Sequence, residues 1–319
     1  MSKILVPLNN KARIKEFVDA GADEFYMGFY DEAWVEEFGD YSEINRMSGF
    51  KKYANPYTFT EVLEIAKEIK SYGKDIFITI NSASYSQKEL DKLTTYFVEL
   101  KKAGVDGVIV STPELTILAK EYGLEPVAST MCGIFNTDLV AYYKKLGMKR
   151  MILPRDLSLD EIESIINAHP DVRYEVFLMR NGCRFSDSHC LGMHREKGSM
   201  CGVLTRGIYK TDALDGDFKT QHDFELNNTV YTKCFHGAAA CGLCALYRFV
   251  NLNVSAYKIV GRSEHPKDII ADVKMVKHNI EVAKNSSSEE EYLKNMKMPE
   301  NARDACKLGL GCYYPEVRF

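Results

Sequence analysis

The feature that most constrains the fold is the alternation of short β-rich runs with amphipathic helical segments along most of the chain. The first two runs are Ile4 to Pro7 and Glu24 to Phe29, with a helix over 12–20 between them. Eight strands alternating with helices predict an α/β fold of the (β/α)8 TIM-barrel type, with an open doubly wound sheet as the alternative. The other predicted strands are 75–81, 107–111, 126–130, 150–154, 174–179 and 256–261.

One connection interrupts this alternation. About 75 residues rich in Cys, His, Gly and Asn separate the seventh strand from the eighth. In a barrel, such a connection leaves the carboxyl end of a strand, where active sites are built. We predict one barrel over 1–284, which includes a cysteine-rich insertion at about 180–255, and a tail over 285–319 that packs on the barrel.

The net charge and the amino-terminal segment bear on nucleic-acid binding, secretion and membrane insertion. The net charge is -4 and the Lys and Arg residues are scattered, so nucleic-acid binding is possible but unsupported by charge. The first residues contain only a short apolar run, which predicts a cytoplasmic protein without a signal peptide or membrane span. In that setting, clustered cysteines indicate metal binding or catalysis more than disulfides.

Six of the nine cysteines lie in the insertion, at Cys183, Cys190, Cys201, Cys234, Cys241 and Cys244. Four converging thiolates suit a [4Fe-4S] cluster or a structural zinc ion. Zinc usually uses pairs two to four residues apart, and only Cys241 and Cys244 are so spaced in the insertion. The wider gaps favour iron–sulfur, with zinc or unligated thiols as alternatives. Cys306 and Cys312 in the tail are reduced thiols or, alternatively, a second metal or redox pair.

Several segments together resemble the collagenase-like peptidase family U-32. In YEVFLMRNGCRFSDSHC, residues Glu175, Cys183 and Cys190 match its Glu-x-Phe … Cys-x6-Cys signature. AYKIVGR, with Lys258, resembles its terminal Lys-Ile-Glu-Gly-Arg strand, except that Val260 replaces the glutamate. GADEFYMG, VASTM and RMILPRDLSLDEI resemble further barrel segments of the family. The resemblance covers roughly residues 3 to 262 and implies a barrel fold.

The resemblance also implies a cofactor and an activity. Members similar to this chain act in oxygen-independent hydroxylation of a ubiquinone precursor or a tRNA uridine, and four of their cysteines hold a [4Fe-4S] cluster. A hydroxyl group from prephenate would be part of this chemistry. Carried over position by position, the ligands are Cys183, Cys190, Cys201 and Cys241, with Cys244 or Cys234 as alternatives for the fourth.

Polar residues at the predicted strand ends are candidates for the pocket. We expect Asn81, Arg155 and Arg262 to bind a small anionic substrate, while capping or ion pairing is the alternative for both arginines. Lys258 lies in an apolar strand and needs a partner, for which Glu175 is the natural choice. That pair is structural or, alternatively, supplies a catalytic acid or base.

The leading functional hypothesis is an iron–sulfur barrel enzyme, or enzyme subunit, for oxygen-independent hydroxylation or a related modification of an aromatic or nucleobase substrate. One alternative is a peptidase, although the sequence has no Gly-x-Ser-x-Gly elbow and no zincin motif. The other is a non-catalytic iron–sulfur subunit that forms a heterodimer with a related chain.

Overall fold

Eight parallel strands close into a single barrel. The computed structural model describes residues 2–183, 186–190, 240–299, 306 and 311–317. Each strand pairs with the next along the chain, and the eighth pairs with the first. The predicted (β/α)8 barrel is therefore confirmed. The strands are β1 Lys3–Pro7, β2 Glu24–Met27, β3 Asp75–Ile80, β4 Gly107–Val110, β5 Glu125–Ala128, β6 Arg150–Ile152, β7 Arg173–Met179 and β8 Ala256–Ile259.

Helices follow the strands and cover the outside of the barrel. Two of them, α2 and α3, lie between β2 and β3, and α8 leads from the cysteine-rich insertion into β8. The helices are α1 Ile14–Ala20, α2 Glu32–Phe38, α3 Phe59–Ser71, α4 Gln87–Lys102, α5 Pro113–Glu121, α6 Thr137–Leu146, α7 Leu159–Ala168, α8 Leu246–Asn251, α9 Pro266–Asn285 and α10 Glu289–Asn295.

Local sequence explains where the helices begin and end. Thr58, Ser86 and Ser158 each form a capping box with the glutamate three positions later, at the starts of α3, α4 and α7. α6 ends at Gly147, whose φ of 98° is accessible to glycine at little cost. These signals set the short connections that keep each helix against its strand.

The strands and the inner faces of the helices form one apolar core. β1 to β8 are almost entirely buried, as expected for parallel strands covered on both faces. No helix in the described part of the chain is long and apolar enough to cross a membrane. The division between barrel and tail stays a prediction, although Tyr313 and Tyr314 of the tail are buried.

Candidate active site at the carboxyl end of the barrel

A chain of buried charges crosses the lower barrel interior, near the amino ends of the strands. Arg150 Nη1 donates to Glu24 Oε1 at 2.9 Å, and Arg150 Nε donates to Glu175 Oε1 at 2.6 Å. Lys3 Nζ lies 2.8 Å from Glu24 Oε1. Burial would raise the pKa of Glu24, but the hydrogen bond and charge of Arg150 outweigh it and lower that pKa. Both carboxylates thus have a cationic partner.

Lys258, on β8, continues this row of buried charges. Its Nζ atom is 3.6 Å from Glu175 Oε2 and 3.8 Å from the centroid of the Tyr26 ring, so the expected partner is observed. Neither Nζ nor Oε2 has a hydrogen-bond partner among the described residues. Burial lowers the pKa of Lys258 to about 8, although the charge of Glu175 opposes this. The amine is therefore close to the range in which it can exchange protons at physiological pH.

Arg262 lies above Lys258, just beyond the end of β8. Its Nη1 atom donates to Asn55 Oδ1 and Thr79 Oγ1, both at 3.0 Å, and to Asn45 Oδ1 at 3.4 Å. Within the described ranges no carboxylate forms an ion pair with Arg262, and burial lowers its pKa to about 10. A Cβ at Gly28 would lie 2.5 Å from Nη1, so only glycine leaves room there. A buried guanidinium with neutral partners is suited to bind an anion.

Asn81 follows β3 at the same rim. Its Nδ2 atom donates to Ser129 Oγ at 2.9 Å, and its Oδ1 atom accepts from the backbone N of Arg46 at 3.4 Å. Asn81 is 6% exposed, so these bonds satisfy a group that would be costly to bury alone. The side chain joins the ends of β3 and β5 to the loop that carries Arg46.

Arg155, after β6, is engaged by a carboxylate. Its Nε atom donates to Asp187 Oδ2 at 2.9 Å, while Arg46 Nη1 donates to Asp187 Oδ1 at 2.7 Å. The guanidinium also stacks on Phe177, 4.3 Å from the ring centroid. Burial would raise the pKa of Asp187, but the charges of Arg155 and Arg46 lower it to about 2. These contacts agree with the ion-pairing alternative for Arg155 and leave Arg262 as the better candidate for an anion.

Two of the predicted metal ligands lie within electrostatic range of these arginines. Cys183 and Cys190 flank Asp187, and the charge of an ionised Cys190 or Cys183 would raise the pKa of Arg46 or Arg155, respectively. Thiolates are the ligands of iron–sulfur clusters and structural zinc. Their donor chemistry fits such a group, and both guanidinium groups would stabilise its negative charge.

Of the other predicted ligands, Cys241 is described and Cys201 is not. Cys201, like Cys234, lies outside the described residues. Cys241 forms one isolated bridge with Met179, at the end of β7, and another with Cys312 of the tail. Among the described residues, no three His, Cys, Asp or Glu side chains already surround a common point as metal ligands do.

Sequence reasoning missed several residues of the site. Arg46, Asn45 and Asn55 lie in the long connection between α2 and α3, which carries no motif that marks them. Asp187 could have been noticed as a carboxylate between two candidate ligands. Arg150 could have been noticed as a charged first residue of a buried strand, which requires a buried partner.

The fold and this site together define the class of protein: a TIM barrel with buried polar side chains and a cysteine-bearing connection at the carboxyl ends of its strands. The sequence model for Peptidase family U32 matches residues 9–313. The chain belongs to this family.

The names of similar proteins describe different activities. A collagenase of Porphyromonas gingivalis is 22% identical over 311 residues, which cover 91% of this chain and 68% of that protein. The Escherichia coli tRNA hydroxylation protein P is 33% identical over 129 residues, or 39% of this chain and 28% of that protein. The Escherichia coli 23S rRNA 5-hydroxycytidine C2501 synthase is 27% identical over 199 residues, or 61% and 27%. The match thus spans only about a quarter of the two hydroxylation proteins.

A solved structure supports the fold. The U32 peptidase Mk0906 superimposes with a TM-score of 0.50 at 14% identity, over 82% of this chain and 93% of that one. At this level of identity, the similarity concerns the barrel and not its chemistry.

Proposed function

We propose that the protein acts in oxygen-independent hydroxylation, or a related modification, of an aromatic or nucleobase substrate. Relatives named for tRNA hydroxylation and for rRNA hydroxycytidine synthesis support this class of reaction. The observation that carries the proposal is the position of Arg262. This buried cation, which has no carboxylate partner among the described residues, shares the barrel mouth with the Arg46 and Asp187 pair. Cys190 and Cys183 lie within electrostatic range of Arg46 and Arg155, respectively.

We infer a [4Fe-4S] cluster at this mouth, with zinc as the less favoured alternative. Cys183, Cys190 and Cys201 would hold it together with a fourth thiolate, for which Cys241 is the prediction from sequence. With water as the oxygen source, replacing C–H by C–OH releases two electrons and two protons, so the reaction needs an external one-electron redox carrier as acceptor. A cluster held by these thiolates would supply the electron-transfer chemistry. The guanidinium groups of Arg46 and Arg155 would balance the negative charge of the thiolates.

The other residues of the mouth have separate roles in this proposal. Arg262 binds an anionic group of the substrate or of the hydroxyl donor, and its neutral partners Asn55 and Thr79 hold the guanidinium in place. Lys258 moves a proton, because its Nζ atom is within reach of deprotonation near neutral pH. Glu175, fixed by Arg150, keeps Lys258 oriented and supports its charged form.

Nucleoside mass spectrometry tests the proposal. RNA from cells that lack the gene should lose a nucleoside one oxygen atom heavier than uridine or cytidine under anaerobic growth, and the wild-type gene should restore it. Arg262→Met should fail to restore it, whereas Arg173→Met, on the exposed start of β7, should restore it fully. If both RNA and small aromatic metabolites are unchanged by the deletion, the hydroxylation proposal is wrong.

Peptide cleavage is the second candidate, favoured by the collagenase that matches most of the chain. Cleavage of denatured collagen by purified protein, unaffected by Cys183→Ser, would favour it. A heterodimer with a related chain and a cytoplasmic location remain predictions from the sequence. Copurification of a tagged chain from its own cells would test the heterodimer.

A further inference from the structure

The tail is hydrogen-bonded to the backbone of Cys241, the fourth ligand predicted from the sequence. Cys241 N donates to Gly311 O at 2.7 Å, and Tyr313 N donates to Cys241 O at 3.0 Å. Both backbone polar groups of Cys241 therefore have partners in the tail. Because a paired backbone fixes the direction of the Cα–Cβ bond, these contacts limit where the thiol group of Cys241 can lie.

The segment that carries Cys241 is also paired with the end of β7. Arg180 N donates to Ala240 O at 2.6 Å, and Met179 forms an antiparallel bridge with Cys241. Cys183, another predicted ligand, follows Arg180 by three positions. The segments that carry Cys183 and Cys241 thus extend from one pair of hydrogen-bonded backbone stretches at the barrel mouth.

Tyr313 connects these two segments and the barrel. Besides the bond of its backbone N to Cys241, its Oη atom donates to the carbonyl oxygen of Arg180. Its ring stacks on Phe177 of β7 with the two centroids 5.9 Å apart. Phe177 is the residue whose ring also contacts the guanidinium of Arg155. Tyr313 is 6% exposed, so one buried residue holds the segment of Cys241, the start of the segment of Cys183 and the end of β7 together.

The backbone that leads to Cys183 needs such support. Arg180 and Asn181 have left-handed conformations, with φ angles of 66° and 48°. These conformations cost free energy for residues other than glycine and persist where surrounding contacts hold them. Tyr313 Oη and Arg155 Nη1 donate to the carbonyl oxygens of Arg180 and Asn181, respectively. Loss of the Tyr313 hydroxyl group would therefore loosen the turn that positions Cys183.

The next residue, Tyr314, anchors the tail. It is 2% exposed, and its Oη atom donates to Phe177 O at 2.8 Å. Its ring packs edge-on against Phe249 of α8, with the centroids 4.9 Å apart. A Cβ at Gly242 would lie 2.7 Å from the Tyr314 ring, so the tail packs directly on the segment that follows Cys241. This packing keeps Tyr313 in place.

We propose that Tyr313 is a positioning residue for the cluster of the proposed function, on which this inference rests. It holds the backbone of Cys241 in register with the turn that leads to Cys183, so that the two thiol groups keep a fixed separation. Tyr313 itself is not a ligand. Groups that orient metal ligands from outside the ligand set increase metal affinity, because ligands already in place need not be ordered when the metal binds.

Iron release from the full chain tests the proposal. Wild-type and variant proteins, purified without oxygen with the cluster bound, are mixed with an iron chelator, and the loss of cluster absorbance is followed. We expect Tyr313→Phe, which removes only the bond to Arg180 O, to release iron roughly tenfold faster than the wild type. The midpoint potential of the cluster, measured by redox titration with EPR detection, should also shift, because packing and solvent access set that potential.

Tyr174→Phe is the matched control. Tyr174 is also buried on β7, and its hydroxyl group donates to His169 O at 3.2 Å, but it lies near the amino end of the strand. It should release iron at the wild-type rate and keep the wild-type potential. Each variant loses a hydrogen bond to a carbonyl group, so urea should unfold the two cluster-free proteins at similar concentrations.

Iron release and a potential equal to those of the wild type in Tyr313→Phe would overturn the role of Tyr313 and leave the cluster in place. A wild-type protein without iron would contradict the cluster itself, and this inference with it. If Tyr313→Phe does not fold, hydrogen exchange of the wild type decides. Since linkage is reciprocal, the bound cluster should slow exchange of the Cys241 and Tyr313 amides. Equal exchange with and without the cluster would contradict the proposal.

Discussion

The lower interior of the barrel and its upper mouth hold buried arginines in opposite ways. Arg150, below, is held between the carboxylates of Glu24 and Glu175, and it lies over the Phe77 ring at 4.5 Å. Arg262, above, has only neutral oxygen partners within the described residues. A buried charge without an opposite charge nearby reduces stability. Such a charge is therefore typical of a site where a bound ligand supplies the opposite charge.

The difference therefore indicates that the buried charges near the amino ends of the strands stabilise the fold, whereas those near the carboxyl ends serve function. Active sites of TIM barrels are built at the carboxyl ends of the strands, whereas the opposite end contributes to stability. The charges of Glu24, Arg150 and Glu175 fix the interior of this barrel without a ligand. Arg262 and Lys258, by contrast, lie where an anionic ligand and a proton transfer can use them.

Arg150→Met should have the largest effect on stability. The change leaves the carboxylates of Glu24 and Glu175 buried with less compensation, which should cost about 3–5 kcal/mol in the free energy of unfolding. Arg173→Met is the matched control, because its partner Glu125 is at the surface and exposed pairs contribute about 0–1 kcal/mol. Urea denaturation measures both variants. Equal losses would show that the lower network does not stabilise the barrel.

Asp187 should make the protein sensitive to acid. Its pKa of about 2 lies below the ordinary value near 3.9, so its stabilising effect is complete above about pH 4 and is lost as the pH falls toward 2. The loss should be about 2–3 kcal/mol. Thermal unfolding between pH 5 and pH 2 should fall more steeply for the wild type than for Asp187→Asn. Parallel curves would contradict the ion-pair description of the mouth.

Lys258 should have a smaller effect in the same direction, an increase in stability with pH, because deprotonation relieves the cost of burying its charge. Its folded pKa of about 8 lies below the ordinary value near 10.4, so the unfolded chain binds more protons between these values and the contribution of Lys258 to stability increases with pH. The gain between about pH 8 and about pH 9.5 should be about 1–2 kcal/mol. Unfolding of wild type and Lys258→Met over this range measures it. A constant difference between the two proteins would mean that Lys258 is not perturbed.

Arg262→Met should change stability least, by less than about 1 kcal/mol. Its acceptors keep other contacts: Asn45 Oδ1 accepts from Met47 N at 3.0 Å, and Thr79 Oγ1 donates to Met27 O at 3.2 Å. The variant should, however, lose any rise in melting temperature that phosphate or a dicarboxylate gives the wild type. A loss of stability as large as that of Arg150→Met would remove the contrast between mouth and interior.

The sequence predicted local structure better than the site. All eight strands followed from apolar runs between helices, because that pattern is local, and the ends differ by a residue or two where pairing stops. β2, for example, ends at Met27, its last partner on β3 being Ile78. Glu175 and Lys258 could be matched because each needs a buried partner. The pairing of Arg150 with Glu24 could not be predicted, since 126 positions separate them and only barrel closure brings them together.

The mouth illustrates the same limit. Arg155 and Arg262 both follow strands and look alike in sequence. Among the described residues, however, only Arg155 forms an ion pair with a carboxylate, that of Asp187 from the insertion. Asn45 and Asn55 reach Arg262 from a connection more than 200 positions earlier. These contacts between positions far apart in sequence decide which of the two arginines can bind an anion.

The most direct test of the account is iron and sulfide analysis, with EPR spectroscopy, of wild-type and Cys183→Ser protein purified without oxygen. We expect a brown wild-type protein with four iron and four sulfide per chain, as a [4Fe-4S] cluster requires. We expect Cys183→Ser to lack this iron and the EPR signal of the reduced cluster. A colourless wild-type protein that contains zinc but no iron would contradict the proposed cluster and the hydroxylation chemistry that depends on it.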